Sequence, residues 1–207
     1  MKFANHFKMI LCSSAREGYY RVSLWSLHDN TILAYFTGHV DEIIGLEVSP
    51  STSLFLSSAK NEEVRLWDYH KKECLAVFNE ACYGAFDNTG QVLALAYVSE
   101  KQQKVLLYSL RVEPLKFDTP ICTFELGSTE EFPQIVGMKF SFDGKVICLI
   151  GSESKLMVID AFNGSVINKF NRVPNEQDSA SFADFSLDSK FILTAGEDRT
   201  LYFWNWR

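Results

Sequence analysis

Short apolar runs separated by turn residues follow one another along almost the whole chain. Runs such as Val92-Leu93-Ala94-Leu95-Ala96 are apolar at every position, which is typical of strands that are buried on both faces. The intervening turns combine Ser, Asp, Asn and Gly, as in Phe140-Ser141-Phe142-Asp143-Gly144. No segment has a convincing amphipathic helical period. The pattern therefore predicts an all-β protein.

The apolar runs recur with a regular spacing. One shared position carries a large side chain in five segments, and successive copies lie roughly 40 to 50 residues apart, which is typical of β-propellers with one four-stranded blade per repeat. The longest interval contains residues 111–120, where Pro114 and Pro120 mark an inserted loop. The insertion lengthens one connection without breaking the repeat. The residues at the shared position are Trp25, Trp67, Tyr108, Ile159 and Trp204.

Each repeat is predicted to contain four strands, called a, b, c and d in chain order. Strand c holds the shared large residue, and strand d ends in an aromatic residue. The first unit is expected to begin at strand b, around residues 7–14, and the last to stop after strand c, at residues 200–206. The prediction is therefore a β-propeller of which about five blades are present, three complete and two partial.

Residues 1–207 are interpreted as one propeller domain that is incomplete at both ends. A seven-bladed ring is the favoured closure, and a smaller ring of about five blades is the alternative. Open terminal blades would expose unpaired strand edges and apolar faces, so the isolated 207-residue chain is expected to aggregate or to need a partner.

Composition and charge narrow the classes of function. Aromatic residues make up 14% of the chain, which favours β-structure. The net charge of −6 argues against direct binding to nucleic acid.

No apolar run approaches the roughly 20 residues that span a bilayer, so a soluble intracellular protein is expected, with no membrane partner. The five cysteines form no CxxC pair and are expected to be buried small hydrophobes in a reducing compartment.

Two dipeptides in one repeat, Gly38-His39 and Trp67-Asp68, resemble the GH and WD dipeptides of the WD40 family. In that family a Trp on strand c, a Ser or Thr on strand b, the GH histidine and an Asp in the b–c turn form a hydrogen-bonded network. Asn in place of this Asp lacks its charge, which implies a weaker network. In the last repeat Glu176 stands near the position of the histidine, so that network is expected to be incomplete. The resemblance implies one network of His39, Ser57, Asn61 and Trp67 and another of Thr194, Asp198 and Trp204.

Two further stretches, residues 26–30 (SLHDN) and 159–164 (IDAFNG), lie outside the general WD40 pattern. They are similar to the small WD-repeat subunit of COMPASS-type histone methyltransferase complexes, which also serves a nuclear phosphatase and RNA 3′-end-processing complex. The resemblance implies a nuclear scaffold that binds subunits of a SET-domain methyltransferase complex and links it to transcription by RNA polymerase II, with the polymerase tail as a further partner. The alternative is a WD40 adaptor in another assembly, such as a ubiquitin ligase or the cytoskeleton.

Enzyme chemistry is the competing class of function. A Ser-His-Asp triad could be drawn from His39, Asp41 and one of the serines, but the chain has no Gly-x-Ser-x-Gly elbow. His39 also has a structural role in the repeat. The other histidines are isolated in the sequence, and no two of them have the spacing of metal ligands. The sequence therefore predicts no catalytic residues, no metal site and no cofactor.

Partner binding is predicted on one face of the propeller. The loops that join strand d to the next strand a, and strand b to strand c, cluster on the same face of this architecture. Loops on a rigid scaffold are the usual place for binding residues. The residues predicted to lie at this surface are Asp41, Glu62, Tyr83, Phe132 and Arg199.

Overall fold

A computed structural model describes residues 1–4, 8–14, 18–60, 63–99, 102–111, 115–152, 155–171, 183–195 and 200–207. These residues form nineteen β-strands and no α-helix, which confirms the predicted all-β class. Within the same ranges, no helical segment is long and apolar enough to cross a lipid bilayer. The chain divides into two compact units, residues 1–86 and residues 87–207.

The first unit contains two antiparallel sheets of four strands, each in the order of the chain. Strands β1 to β4 make one sheet and β5 to β8 the other, while β9 contacts β6 and β7. The bounds are β1 (Lys2–Ala4), β2 (Met9–Ser13), β3 (Arg21–Ser26), β4 (Thr31–Thr37), β5 (Ile43–Val48), β6 (Leu54–Ala59), β7 (Glu63–Asp68), β8 (Glu73–Asn79) and β9 (Ala81–Phe86).

The second unit repeats the same antiparallel order. Strands β10, β11 and β12 pair in succession, β13 to β16 form a four-stranded sheet, and β17 to β19 form a three-stranded sheet. The bounds are β10 (Val92–Val98), β11 (Gln103–Ser109), β12 (Cys122–Gly127), β13 (Ile135–Phe140), β14 (Val146–Gly151), β15 (Lys155–Asp160), β16 (Val166–Asn171), β17 (Ala183–Phe185), β18 (Phe191–Ala195) and β19 (Leu201–Asn205).

The first sheet has one strand more than the sequence predicted. Strand β1 pairs antiparallel with β2, with Phe3 opposite Ile10, so this sheet is complete. A strand of three residues is too short to show a run or an alternation, and only its pairing partner identifies it. Within the described ranges the last sheet contains three strands, the number that the sequence predicted.

Neighbouring sheets within each unit share an apolar core. In the first unit, Val22 and Phe36 of the first sheet pack in one cluster with Phe55 and Trp67 of the second. The rings of Phe36 and Phe55 meet edge to face, with centroids 4.9 Å apart. In the second unit, the sheet of β13 to β16 packs in the same way against Ile192 and Trp206. Runs that are apolar on both faces are needed because a sheet in this arrangement has a neighbour on each side.

The cysteines are only partly buried. Cys82 and Cys148 are buried, and burial raises the pKa of the Cys148 thiol to about 12. Cys12 and Cys122 are half-buried, and none of the five cysteines, all within the described ranges, forms a disulfide. The expectation of burial is wrong for Cys74, which is exposed because it lies on β8, the outermost strand of its sheet.

Candidate functional site

A single buried hydroxyl joins three structural elements of the first unit. Ser57 on β6 is completely buried. Its Oγ accepts a hydrogen bond of 2.7 Å from Nε1 of Trp67 on β7. Nε2 of His39, in the loop between β4 and β5, lies 2.5 Å from the same oxygen. The loop is therefore attached to the centre of the following sheet through side chains that water does not reach.

The carboxylate of this network comes from Glu63, the first residue of β7. Its Oε1 lies 2.8 Å from Nδ1 of His39 and accepts a hydrogen bond of 2.6 Å from Nε of Arg65. A second bond of 3.2 Å runs from Nη2 of Arg65 to Oε2, so the guanidinium binds the carboxylate through two nitrogens. Burial raises the pKa of Glu63, but the bonds and charge of Arg65, with help from His39, outweigh it and leave this pKa below its ordinary value. Burial also lowers the pKa of His39, an effect that Glu63 partly offsets.

Sequence reasoning missed Glu63 and expected the polar partner at Asn61, which lies outside the described residues. The signal was nevertheless present. Residues two apart on a strand share a face, so Glu63, Arg65 and Trp67 all project to one side of β7. An acid and a base at that spacing, ahead of a tryptophan on the same face, indicate an ion pair beside the ring.

The glycine of the Gly-His dipeptide also has a role in this network. Gly38 has a φ of +143°, and the guanidinium of Arg65 occupies the space that a β-carbon would take. The same guanidinium lies 5.8 Å from the ring centroid of Trp67. Only a residue without a side chain lets the loop approach Arg65 this closely.

The last repeat contains the corresponding tryptophan bond. Nε1 of Trp204 on β19 donates to Oγ1 of Thr194 on β18 over 2.9 Å. Asp198, predicted for this network, and Glu176, near the position of the histidine, lie outside the described residues. Trp206 makes a second contact, from its Nε1 to the carbonyl oxygen of Ser189 at 2.8 Å, which ties the end of the strand to a hairpin turn.

Ser57, His39 and Glu63 have the connectivity of a nucleophilic triad, but the geometry does not suit catalysis. Ser57 is fully buried and its oxygen already accepts the Trp67 N–H, so a substrate has no path to it in this fold. Asp41 takes no part and accepts the backbone N–H of Glu42 at 2.7 Å. Among the described residues, no three His, Cys, Asp or Glu side chains are grouped as metal ligands would be. The arrangement stabilises the repeat.

A second recurring contact shapes the turn between strands c and d. Asp68 accepts the backbone N–H groups of His70 (2.9 Å) and Lys71 (3.2 Å). Asp160 does the same for Phe162 (2.8 Å) and Asn163 (3.1 Å). In the tight turn these backbone N–H groups have no partner on a neighbouring strand, and the side-chain oxygen accepts their hydrogen bonds instead. The residues that make the equivalent contact in the other repeats are Ser26, Ser109 and Asn205.

In the second unit Gln103 holds the loop between β12 and β13. This side chain is fully buried; its Nε2 donates to the carbonyl oxygen of Phe132 at 2.5 Å, and its Oε1 accepts the N–H of Ile135 at 3.1 Å. The ring of Phe132 is 2% exposed and lies against Gly151 of β14. Phe132 was predicted to bind a partner, but its ring packs inside the unit because Gly151 leaves room for it. It therefore presents no surface to a partner here.

The remaining residues predicted for docking fall into two groups. Asp41 and Tyr83 are half-buried in the first unit, and burial raises the pKa of Tyr83. Both lie close to β5, since Asp41 precedes this strand by two residues and the ring of Tyr83 lies beside Gly45. Glu62 and Arg199 lie outside the described residues.

Comparison with protein families matches two segments of the chain. The WD40 family model, described as WD domain, G-beta repeat, matches residues 30–68 and 174–205. The first segment contains His39, Ser57 and Trp67, and the second contains Thr194 and Trp204. The matched segments therefore include both tryptophan bonds.

Several curated proteins are similar along most of this chain. WD repeat-containing protein 82 of Drosophila melanogaster is 36% identical over 87% of the chain and 55% of its own length. Set1 complex component swd2 of Schizosaccharomyces pombe is 30% identical over 97% of the chain and 57% of its own length. COMPASS component SWD2 of Saccharomyces cerevisiae is 28% identical over 87% of the chain and 55% of its own length. The chain thus spans little more than half the length of these relatives.

Proposed function

We propose that this chain, which carries repeats of the WD40 family, is a non-catalytic scaffold subunit of a COMPASS-type (Set1) histone methyltransferase complex. The observation that carries the proposal is the similarity to Set1 complex component swd2, which extends over 97% of the chain at 30% identity. Because one fold serves many functions, the proposal depends on this similarity and on the site rather than on the propeller architecture.

The geometry of the site supports a scaffold role over a catalytic one. The polar side chains that resemble reactive groups contact one another: Ser57 and His39 are buried, and the side chain of Glu63 is 13% exposed. Such contacts fix the positions of the loops, and loops held on a rigid framework are suited to bind other proteins. The methyl transfer would then be performed by a SET-domain subunit of the same complex.

We further propose a location and partners for the protein. The protein acts in the nucleus and binds subunits of the SET-domain methyltransferase complex. Through this complex it contributes to the link with transcription by RNA polymerase II, including the polymerase tail, and it also serves the phosphatase and RNA 3′-end-processing complex. The docking residues proposed from the described part of the chain are Asp41 and Tyr83, which lie close to β5 at the surface of the first unit.

Purification of the tagged full-length protein from cell extract, followed by mass spectrometry, tests the proposal. We expect a SET-domain methyltransferase and histone methyltransferase activity to co-purify with it, and fluorescence of a tagged copy to be nuclear. Recovery of a ubiquitin ligase or cytoskeletal assembly without any methyltransferase would contradict the proposal and support the alternative adaptor function.

A charge reversal tests the docking surface separately. Asp41→Lys is expected to reduce recovery of the methyltransferase, whereas Glu73→Lys, at a side chain 53% exposed on β8, provides the matched control. Circular dichroism must show that both variants melt like the parent protein. If Asp41→Lys retains every partner, the loop before β5 is not the docking site.

A further inference from the structure

The connection between β11 and β12 is longer than those between the other strands c and d. It contains residues 110–121, whereas the connections between β7 and β8 and between β15 and β16 contain residues 69–72 and 161–165. The shorter turns are closed by Asp68 and Asp160, as described above. Because antiparallel strands can be joined by a loop of about two residues, the additional residues are not needed to connect β11 with β12. Such loops commonly carry function.

Two contacts hold the second half of this connection on the sheet. The ring of Phe117 meets the ring of Tyr108 edge to face, with centroids 5.8 Å apart. The N–H of Ile121 donates to the carbonyl oxygen of Leu107 over 2.6 Å. Thr119 lies between these two contacts and is exposed. The loop therefore presents a hydroxyl group to solvent from a position that is held on both sides.

Thr119 is followed by Pro120, and this order has consequences for the backbone. Proline disfavours the helical conformation of the residue before it, so the acceptor residue is biased toward an extended backbone. Proline also has no N–H group. Proline-directed protein kinases bind an extended substrate and have no acceptor for an N–H of the residue that follows the hydroxyl. Any other residue at this position leaves that N–H unpaired.

The chain contains a second dipeptide of this kind, Ser49-Pro50, and the structure distinguishes the two. Ser49 is 1% exposed. Its Oγ accepts a hydrogen bond of 2.8 Å from Oγ1 of Thr52 and one of 3.3 Å from the backbone N–H of the same residue. A kinase cannot reach this hydroxyl while the turn between β5 and β6 is closed. Of the two hydroxyl groups, only that of Thr119 is accessible in the folded chain.

We propose that Thr119 is phosphorylated by a proline-directed protein kinase. Its Oγ1 attacks the γ-phosphorus of Mg²⁺-bound ATP, the bond from that phosphorus to the β-phosphate oxygen breaks, and ADP leaves. The hydroxyl proton passes to the catalytic carboxylate of the kinase. The phosphate adds about −1.5 to −2 charges beside the exposed Asp118. A dianion on an exposed loop can be bound by arginine side chains of another protein. The inference goes beyond the proposed scaffold function and does not depend on it.

Incubation of the purified chain with a cyclin-dependent kinase, which is proline-directed, and with Mg²⁺ and ATP tests the proposal. Mass spectrometry of the digested protein should find phosphate on Thr119 and none on Ser49. Thr119→Ala should abolish the modification, Thr119→Ser should retain it, and Ser49→Ala is the matched control that should react like the parent. Pro120→Ala should slow the reaction about tenfold or more, because it introduces an N–H that the kinase leaves unpaired. Circular dichroism checks that each variant melts like the parent.

Synthetic peptides separate the effect of sequence from that of the fold. The peptides of residues 46–53 and 116–123 each contain one of the two dipeptides without the surrounding sheet, and both are expected to react. Modification of Ser49 in the folded chain as fast as that of Thr119 would overturn the inference. An unmodified Thr119 in the folded chain would overturn it as well, whether or not the peptide of residues 116–123 reacts.

The full-length protein provides the corresponding test in cells. Protein purified from cell extract should yield a peptide phosphorylated on Thr119, and an inhibitor of cyclin-dependent kinases should reduce its amount. Recovery of this peptide in its unmodified form alone would overturn the proposal.

Discussion

Nδ1 of His39 lies 2.8 Å from Oε1 of Glu63, so a loop and the first residue of β7 are joined through two side chains that are largely removed from water. Arg65 holds the other side of the carboxylate. The repeat of β5 to β8 therefore takes its acidic group from strand c itself, two residues beyond the turn position where the sequence predicted a polar partner. This contact has consequences for stability and for its dependence on pH.

Removal of the carboxylate charge is expected to destabilise the first unit. Glu63→Gln keeps an acceptor near His39 but leaves Arg65 without its counterion, which should lower the free energy of unfolding by about 1–3 kcal/mol. Urea unfolding followed by tryptophan fluorescence measures the change. The control is Glu73→Gln on β8, where an exposed carboxylate lies 3.9 Å from Lys71 and should contribute at most about 0.5 kcal/mol. Equal effects of the two substitutions would contradict the role given to Glu63.

The indole of Trp67 contributes both packing and a hydrogen bond. Trp67→Ala should cost about 3–5 kcal/mol, because it opens a cavity and leaves Ser57 without its donor. Trp67→Phe keeps an aromatic ring and should cost less. Its remaining cost in unfolding free energy then measures the lost hydrogen bond to Ser57. Trp25→Phe is the control, since Nε1 of Trp25 bonds at 3.2 Å to an exposed Asn30. A negligible change in thermal unfolding for Trp67→Ala would show that the assigned repeat register is wrong.

The pKa of His39 predicts that the protein loses stability as the pH falls below neutral. Burial lowers this pKa in the folded state, so its stabilising contribution is complete above the ordinary value of 6.5 and is lost below it, where the unfolded chain binds the proton more readily. Glu63, whose pKa is also lowered, contributes above its ordinary value of 4.5 and loses this contribution as the pH falls through the folded-state pKa. Denaturant unfolding between about pH 7 and pH 5 should show a shallower pH dependence for His39→Gln than for the parent. Equal slopes for the variant and the parent would contradict the effect assigned to His39.

Alanine substitutions at two glycines with nearly the same φ distinguish backbone strain from steric overlap. Gly144 and Gly164 have φ values of +69° and +71°. A β-carbon at Gly144 meets no atom within 4 Å, whereas at Gly164 it would lie 2.6 Å from Cγ of Phe124. Gly144→Ala should therefore cost about 1–2 kcal/mol from the backbone alone. Gly164→Ala should cost roughly a further 1–3 kcal/mol because the Phe124 ring must move. Equal melting temperatures for the two variants would contradict this packing.

The register of the repeat could be predicted from local patterns, and its polar contacts only in part. The spacing of Trp25, Trp67 and Trp204 identified strand c, and the structure places all three tryptophans on such strands. The contacts of Ser57 with Trp67 and His39 follow from a known motif. Glu63 was missed because the expected partner was assigned by its position in a turn, whereas the distance between two side chains depends on how a loop returns to the strand.

Local patterns were enough to predict the all-β class, the repeat and the position of the large residue on each strand c, because apolar runs and turn residues are local properties of the chain. Only the tertiary structure could show that β1 completes the first sheet and that Phe132 is buried against Gly151. Each of these depends on which distant segment lies alongside. The type of a residue and its neighbours in sequence are the same whether or not another strand covers its side chain.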